Sequence, residues 1–253
     1  MTASAGNHAQ GIGFAAKLLK KGKEVIIFVP ENTPKIKIDA IKSYGVDLRI
    51  QGKIYDDAEN LARSYAEKIG GQFISPYNHP DVVAGQGTIG LELLREEQIP
   101  DAIAVPVSGG GLLAGILIAT KSVNPNIKVY GIQSEACPAM YQSVIEKKIV
   151  SVPMEHSIAE GLHGGIEENS ITLQPILEYC DSILLVSENE IKIAIYEYLK
   201  YHNKVCEGAG AVGLAAIKRY KEMFNKFNNI AVVISGSNID FPLLKEIICN
   251  HQE

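Results

Sequence analysis

Ser108-Gly109-Gly110-Gly111-Leu112-Leu113-Ala114-Gly115 follows directly on the apolar run Ile103-Ala104-Val105-Pro106-Val107. A buried strand that breaks into three glycines and then an apolar helical run leaves several backbone N–H groups unpaired. No side chain is in their way, and they stand at a helix N-terminus whose dipole favours an anion. The stretch predicts a phosphate cradle, with a tight strand-to-helix turn as the plain alternative.

Outward from it, the pattern repeats. Downstream, a helix over 112–123 leads to a strand over 128–133. Upstream, strand 102–107 is preceded by a long helix over 81–97 and by the turn-rich Ser75-Pro76-Tyr77-Asn78-His79-Pro80. That turn marks a boundary between a smaller lobe, residues 1–77, and a larger one, residues 78–253, with the ligand site expected between them. In the smaller lobe, 1–6 reads as a small-residue loop, and helical spacing from Asn7 to about Lys20 places Ile12, Ala15, Ala16 and Leu19 on one side. Lys17, Lys20, Lys21 and Lys23 cluster at that helix's C-terminal end, where its dipole favours cations. Strands over 24–29, 46–50 and 72–74 alternate with a helix opened by Pro34 and closed by Gly45 and another over 56–69 stopped by Gly70-Gly71.

In the second half, Ser151 to Ser170 is irregular and rich in glycine and acid, which makes it a candidate functional loop. Strand 182–186 precedes Ser187-Glu188-Asn189-Glu190, which has the form of a capping box ahead of a helix to Tyr201. A helix over 208–220 and a strand over 229–234 end at Ser235-Gly236-Ser237-Asn238. The alternation predicts an α/β fold of open, mostly parallel sheets with helices on both faces. Small polar residues then stand at strand C-terminal ends at Ser108 and Ser235, where such sheets bind ligands.

Composition narrows the function. The 253 residues, 46% hydrophobic, suffice for one large or two modest domains. A net charge of -5 with scattered basic residues lacks the footprint of a nucleic-acid binder, so a small-molecule partner is expected. Cys137, Cys180, Cys206 and Cys249 lie far apart and share no metal-like spacing with the histidines, so no metal is expected and a reducing cytoplasm fits. No charged-then-apolar leader and no apolar run of spanning length is seen, so no membrane partner is expected. A dinucleotide fold is the rival reading, because Gly109-x-Gly111-x-x-Ala114 satisfies its loose fingerprint. That fold needs an acid at the end of the next strand for the ribose, and here the position holds Gln133.

Five stretches in order resemble the fold-type II pyridoxal-phosphate enzymes, similar in fold to tryptophan synthase β, and among them the threonine/serine dehydratase (ammonia-lyase) and serine racemase branch. They are Ser4 to Gly11 (SAGNHAQG), Ala84 to Leu94 (AGQGTIGLELL), Val105 to Gly115 (VPVSGGGLLAG), Glu207 to Ala216 (EGAGAVGLAA) and Ser235 to Asn238 (SGSN). The resemblance implies pyridoxal 5'-phosphate as cofactor, its phosphate held by the backbone N–H groups of Ser108, Gly109, Gly110, Gly111 and Leu112. Asn7 would bond the ring hydroxyl, Ser235 would face the pyridine nitrogen, and the loop Ser4, Ala5, Gly6, Asn7 and His8 would take the substrate carboxylate. Without the resemblance, Asn7 reads as an N-cap and Ser235 as a turn residue. Glu207 either orients the site or serves only as an N-terminal helix acid. A homo-oligomer acting on L-threonine or L-serine is implied.

Two departures carry consequences. Ala5 stands where racemase-like members carry a serine acid/base, and Gln133 and Ala139 replace their cation ligands, so elimination is expected over racemisation and no metal site is expected. The family's Schiff-base lysine lies in a Ser-x-Lys-x-Arg-Gly segment upstream of the asparagine loop, and none of these lysines sits in such a motif. The expectation is a chain lacking that N-terminal segment, inactive by itself. The alternatives are a non-catalytic ligand-binding fragment or subunit of the same fold and a racemase-like isomerase. Gly110→Val is expected to block the cradle while leaving the fold largely intact.

Overall fold

The computed structural model describes residues 1–4 and 6–251, and at Ile36 the backbone alone. The chain divides into two compact units, Met1–Pro76 and Tyr77–Glu253.

In the first unit, β1 (Thr2–Ala3), β2 (Ile26–Val29) and β3 (Asp47–Ile50) pair in parallel in the order β1-β2-β3. They alternate with α1 (Asn7–Leu18), α2 (Lys35–Lys42) and α3 (Tyr55–Ile69), the last closed by Gly70 at φ 66. Thr2 and Ala3, expected in a loop, are wholly buried and stand opposite Ile27 and Phe28. Two residues are too few to show an alternating pattern. Residues 72–74 form no strand, although the Ile74 N–H donates to the Met1 carbonyl beside β1. The buried face of α1 is Ala9, Gly13 and Ala16, with Leu19, just past the helix, 69% exposed. Its small residues face inward because the Tyr44 ring lies where a Cβ on Gly13 would be.

The second unit opens with α4 (Pro80–Leu93), β4 (Ala102–Pro106), α5 (Gly111–Val123), β5 (Lys128–Ser134) and α6 (Ala139–Glu146). Then come α7 (Leu173–Tyr179), β6 (Ser182–Val186), α8 (Glu188–His202), α9 (Gly208–Arg219), α10 (Lys221–Phe224), β7 (Ile230–Val232) and α11 (Phe241–Asn250). The Ser187 hydroxyl accepts from the Glu190 N–H, and the Glu190 carboxylate accepts from the Ser187 N–H at 2.8 Å, so the expected capping box is formed. Between α6 and α7 the chain is irregular apart from one 3₁₀ turn at Glu160–Leu162, as the glycine- and acid-rich composition predicts. Neither α6 nor α7 stands out by periodicity, because each is short.

All four strands are parallel, in the order β6-β5-β4-β7. Successive residues of one strand serve opposite cores. Ala104, Tyr130, Ile132 and Leu184 join the cluster under α8 and α9, while Ile103, Val105, Val129 and Ile183 join the cluster under α5 and α7. A sheet covered on both faces accounts for the near-continuous apolar runs. Among the described residues no helix is long and apolar enough to cross a membrane.

The packing of α4 on α5 explains the Ala84-to-Leu94 stretch. Gly87, Gly90 and Gly115 let the two backbones meet: a Cβ on Gly115 would lie 2.7 Å from the Gly87 nitrogen, and one on Gly90 3.2 Å from the Ile116 carbonyl oxygen. Gly85, two residues before Gly87, has nothing within 4 Å of a Cβ. Gly115→Ala is therefore expected to destabilise the second unit by about 2 kcal/mol or more through overpacking. Gly85→Ala is expected to be neutral or to stabilise by about 0.5–1 kcal/mol, since alanine loses less entropy on entering a helix. Denaturant unfolding of the two variants checks this, and equal effects would show that the seam is not backbone-tight.

Candidate functional site

The glycine loop stands where the sheet changes direction. From β4 the chain crosses to β5 on one side, and β7 pairs on the other, so β4 and β7 are neighbours whose C-terminal ends lie together. Ser108 to Gly110 follow β4, and Ser235 to Asn238 follow β7, the position at which open α/β sheets take ligands.

Gly110 caps α5 at φ 90, a backbone conformation that side chains rarely adopt. Gly109, Gly110 and Gly111 are buried, with Ser108 and Leu112 half-buried. Among the described residues, the N–H groups of Ser108, Gly109 and Gly110 meet no hydrogen-bond acceptor, and those of Gly111 and Leu112 open α5, where the helix supplies none. Buried N–H groups are almost always paired. Five in a row at the positive end of a helix fit a phosphate. The loop is packed from both sides. On one, the Tyr77 ring occupies the space of a Cβ on Gly109, and its backbone lies 2.8 Å from that of a Cβ on Gly111. On the other, a Cβ on Gly110 would meet Thr172 Oγ1 at 2.8 Å and Ile176 and Met140 at 2.9 Å. The expectation that Gly110→Val spares the fold is thereby overturned, because valine would be forced into packed atoms at an unfavourable φ.

Sequence patterns did not single out the residues that hold this loop. The Tyr77 hydroxyl accepts from the Glu167 N–H at 2.9 Å, and Asn78 donates to the Glu167 carboxylate at 2.8 Å while accepting from the Ile171 N–H at 3.0 Å. The segment before α4 is thus tied to the segment before α7. These pairs are about ninety residues apart and leave no local signal.

The second loop, Ser235 to Asn238, is fastened to the start of α9. The Glu207 N–H donates to the Gly236 carbonyl at 3.0 Å, and the Glu207 carboxylate accepts from the Asn238 N–H at 3.0 Å. Glu207 therefore orients the loop that carries Ser235, whose side chain is exposed. The irregular loop crosses the same helix start, since a Cβ on Gly208 would collide with the Ile158 backbone. Glu188 anchors it: one carboxylate oxygen accepts from Ser134 at 2.6 Å and Ser157 at 2.7 Å, and the other from the Ile158 N–H at 2.7 Å. Gln133 is fully buried, and its Oε1 caps α6 by accepting from the Tyr141 N–H at 3.0 Å. It does not substitute for a ribose-binding acid. Burial pushes the Cys180 and Cys206 thiols up to about 11, so neither offers a thiolate near neutral pH.

In the first unit, Asn7 is exposed at the N-terminus of α1, following Gly6, whose N–H donates to the Ser4 hydroxyl at 3.2 Å. Ala5 lies outside the described residues. The His8 ring is engaged within its own unit: Nε2 is 3.0 Å from the Thr2 hydroxyl and 3.3 Å from the Ile74 carbonyl. Burial lowers the His8 pKa below its ordinary 6.5, against a smaller opposing effect of the Ile74 carbonyl.

A parallel doubly covered sheet with an anion-ready glycine loop at its switch point defines a class of α/β proteins that hold phosphorylated ligands by backbone. The chain belongs to the pyridoxal-phosphate dependent enzyme family, whose model matches residues 1–236. It is 38% identical over 248 residues to an L-threonine ammonia-lyase of Thermotoga maritima, spanning 98% of this chain and 61% of that protein. Among solved structures it is similar to the processed form of threonine deaminase isoform 2 from Solanum lycopersicum, with a TM-score of 0.92, 34% identity and coverage of 100% of this chain and 73% of that one. It is also similar to maize serine racemase, with a TM-score of 0.88, 30% identity and coverage of 99% and 76%.

The His8 environment sets a pH dependence for the first unit. Because the folded state lowers its pKa, the contribution of neutral His8 is complete above pH 6.5 and is lost as pH falls through the folded value. Thermal melts between pH 7.5 and 5 should therefore fall more steeply for the parent than for His8→Asn. Parallel curves would assign the acid sensitivity elsewhere.

Proposed function

We propose that this chain forms the core of an enzyme that removes water and then ammonia from L-threonine or L-serine, giving 2-oxobutanoate or pyruvate, with pyridoxal 5'-phosphate as cofactor. The observation that carries the reading is the row of N–H groups from Ser108 to Leu112, three of them on buried glycines, without acceptors among the described residues, in a chain of this family. The donors suit a phosphate monoester, which they can bind without a basic side chain. When bound, the cofactor supplies an electron sink for the negative charge left on the substrate Cα.

The chain's own residues direct the outcome. Ser108 to Leu112 hold the phosphate, Asn7 bonds the ring hydroxyl, and the Ser4-to-His8 loop at the N-terminus of α1 takes the substrate carboxylate. Ser235, positioned through Glu207, offers the ring nitrogen a neutral hydroxyl. A hydroxyl, unlike a carboxylate, does not enforce a protonated ring, so charge at Cα is less deeply delocalised and loss of the β-hydroxyl is favoured over reprotonation. Ala5 offers no acid to the opposite face, which disfavours racemisation. The likeness to a serine racemase supports isomerisation as the second reading.

Both readings are tested together. The chain, fused behind a lysine-bearing segment from a longer relative and loaded with cofactor, receives L-threonine and L-serine while oxo-acid release and D-serine are followed. Oxo acid is expected to form from at least one substrate, faster than D-serine, and Ala5→Ser is expected to raise D-serine formation. No oxo acid from either substrate, or racemisation faster than elimination, would overturn the dehydratase reading.

A further inference from the structure

The peptide joining Gly109 to Gly110 is anchored from behind. Thr172 Oγ1, wholly buried, donates to the Gly109 carbonyl at 2.7 Å. Its single proton is committed there, so in the 2.8 Å contact between the two hydroxyls Ser170 is the donor. The chain of bonds therefore runs from Ser170 to Thr172 to the Gly109 carbonyl.

No cis peptide occurs among the described residues, and in a trans peptide the carbonyl and the following N–H point in opposite directions. Holding the Gly109 carbonyl toward Thr172 turns the Gly110 N–H away from Thr172. With glycine on both sides, no Cβ restricts rotation of the unanchored peptide. The rotated form would present a carbonyl oxygen where an N–H now stands, and an oxygen dipole repels an anion.

We infer that Thr172, backed by Ser170, is the positioning residue of the cradle: it holds the Gly109–Gly110 peptide in the orientation that offers an N–H to a phosphate monoester. This sets the preference for a phosphorylated over an unphosphorylated ligand, and it rests on the cradle reading proposed above.

The test uses this chain with pyridoxamine 5'-phosphate, which has no aldehyde to condense with surface lysines, and with pyridoxamine. Equilibrium dialysis gives affinities, and amide NMR follows Gly110. The parent should bind the phosphorylated ligand and shift the Gly110 amide. Thr172→Val should weaken that binding about tenfold, the scale of one buried hydrogen bond lost. Thr172→Ser should restore it to within about twofold, because the hydroxyl is retained. Pyridoxamine should bind the three proteins alike. A parent that does not bind the phosphorylated ligand overturns the cradle reading and this inference with it. A folded Thr172→Val protein that binds as tightly as the parent overturns the inference alone. If that variant does not fold, the parent decides, and a Gly110 amide unmoved by bound ligand overturns the inference.

Discussion

A buried N–H without an acceptor costs free energy on the scale of a lost hydrogen bond, and the loop after β4 gathers several of them. The surrounding structure holds this arrangement in place. Gly110 adopts a backbone that a side chain would strain, Tyr77 fills one side, and Thr172, Ile176 and Met140 fill the other. The loop would otherwise relax by rotating peptides to pair its own groups. What remains is a set of donors at the positive end of α5 that an anion would meet already arranged.

A second layer secures the first. Glu207 fixes the loop after β7, and Glu188 gathers Ser134, Ser157 and Ile158 around one carboxylate. Each carboxylate accepts backbone or hydroxyl donors from segments distant in sequence, so irregular chain is held by hydrogen bonds where no ladder could form. This is how the connection over 147–172, regular only at one 3₁₀ turn, remains compatible with an α/β unit.

The parts that follow local rules were legible in the sequence. The Ser187–Glu190 capping box, the strand at Ser182–Val186 and the glycine end of α3 all formed where their residues placed them. The break between β4 and α5 was legible because three glycines between an apolar strand and an apolar helix continue neither element. β1 was missed because two residues carry no period, and the inward face of α1 was misread because size, set by Tyr44, outweighed hydrophobicity. Thr172, Tyr77 and Asn78 were invisible for another reason. Their partners in the site, the Gly109 carbonyl and the Glu167 and Ile171 groups, lie 63 to 93 residues away, and only the folded chain brings them together.

The seam between α4 and α5 limits sequence change. Gly87, Gly90 and Gly115 face one another closely enough that enlarging any one pushes on the other helix's backbone, which cannot be compensated by trimming a neighbour. Enlargement is most obstructed at Gly115 and leaves little room at Gly87 and Gly90, whereas Ala84, Gly85, Thr88 and Leu91 on α4 are exposed. Change is therefore channelled by geometry: the buried side of this helix has room for little beyond glycine at these positions, and its exposed side can take larger residues.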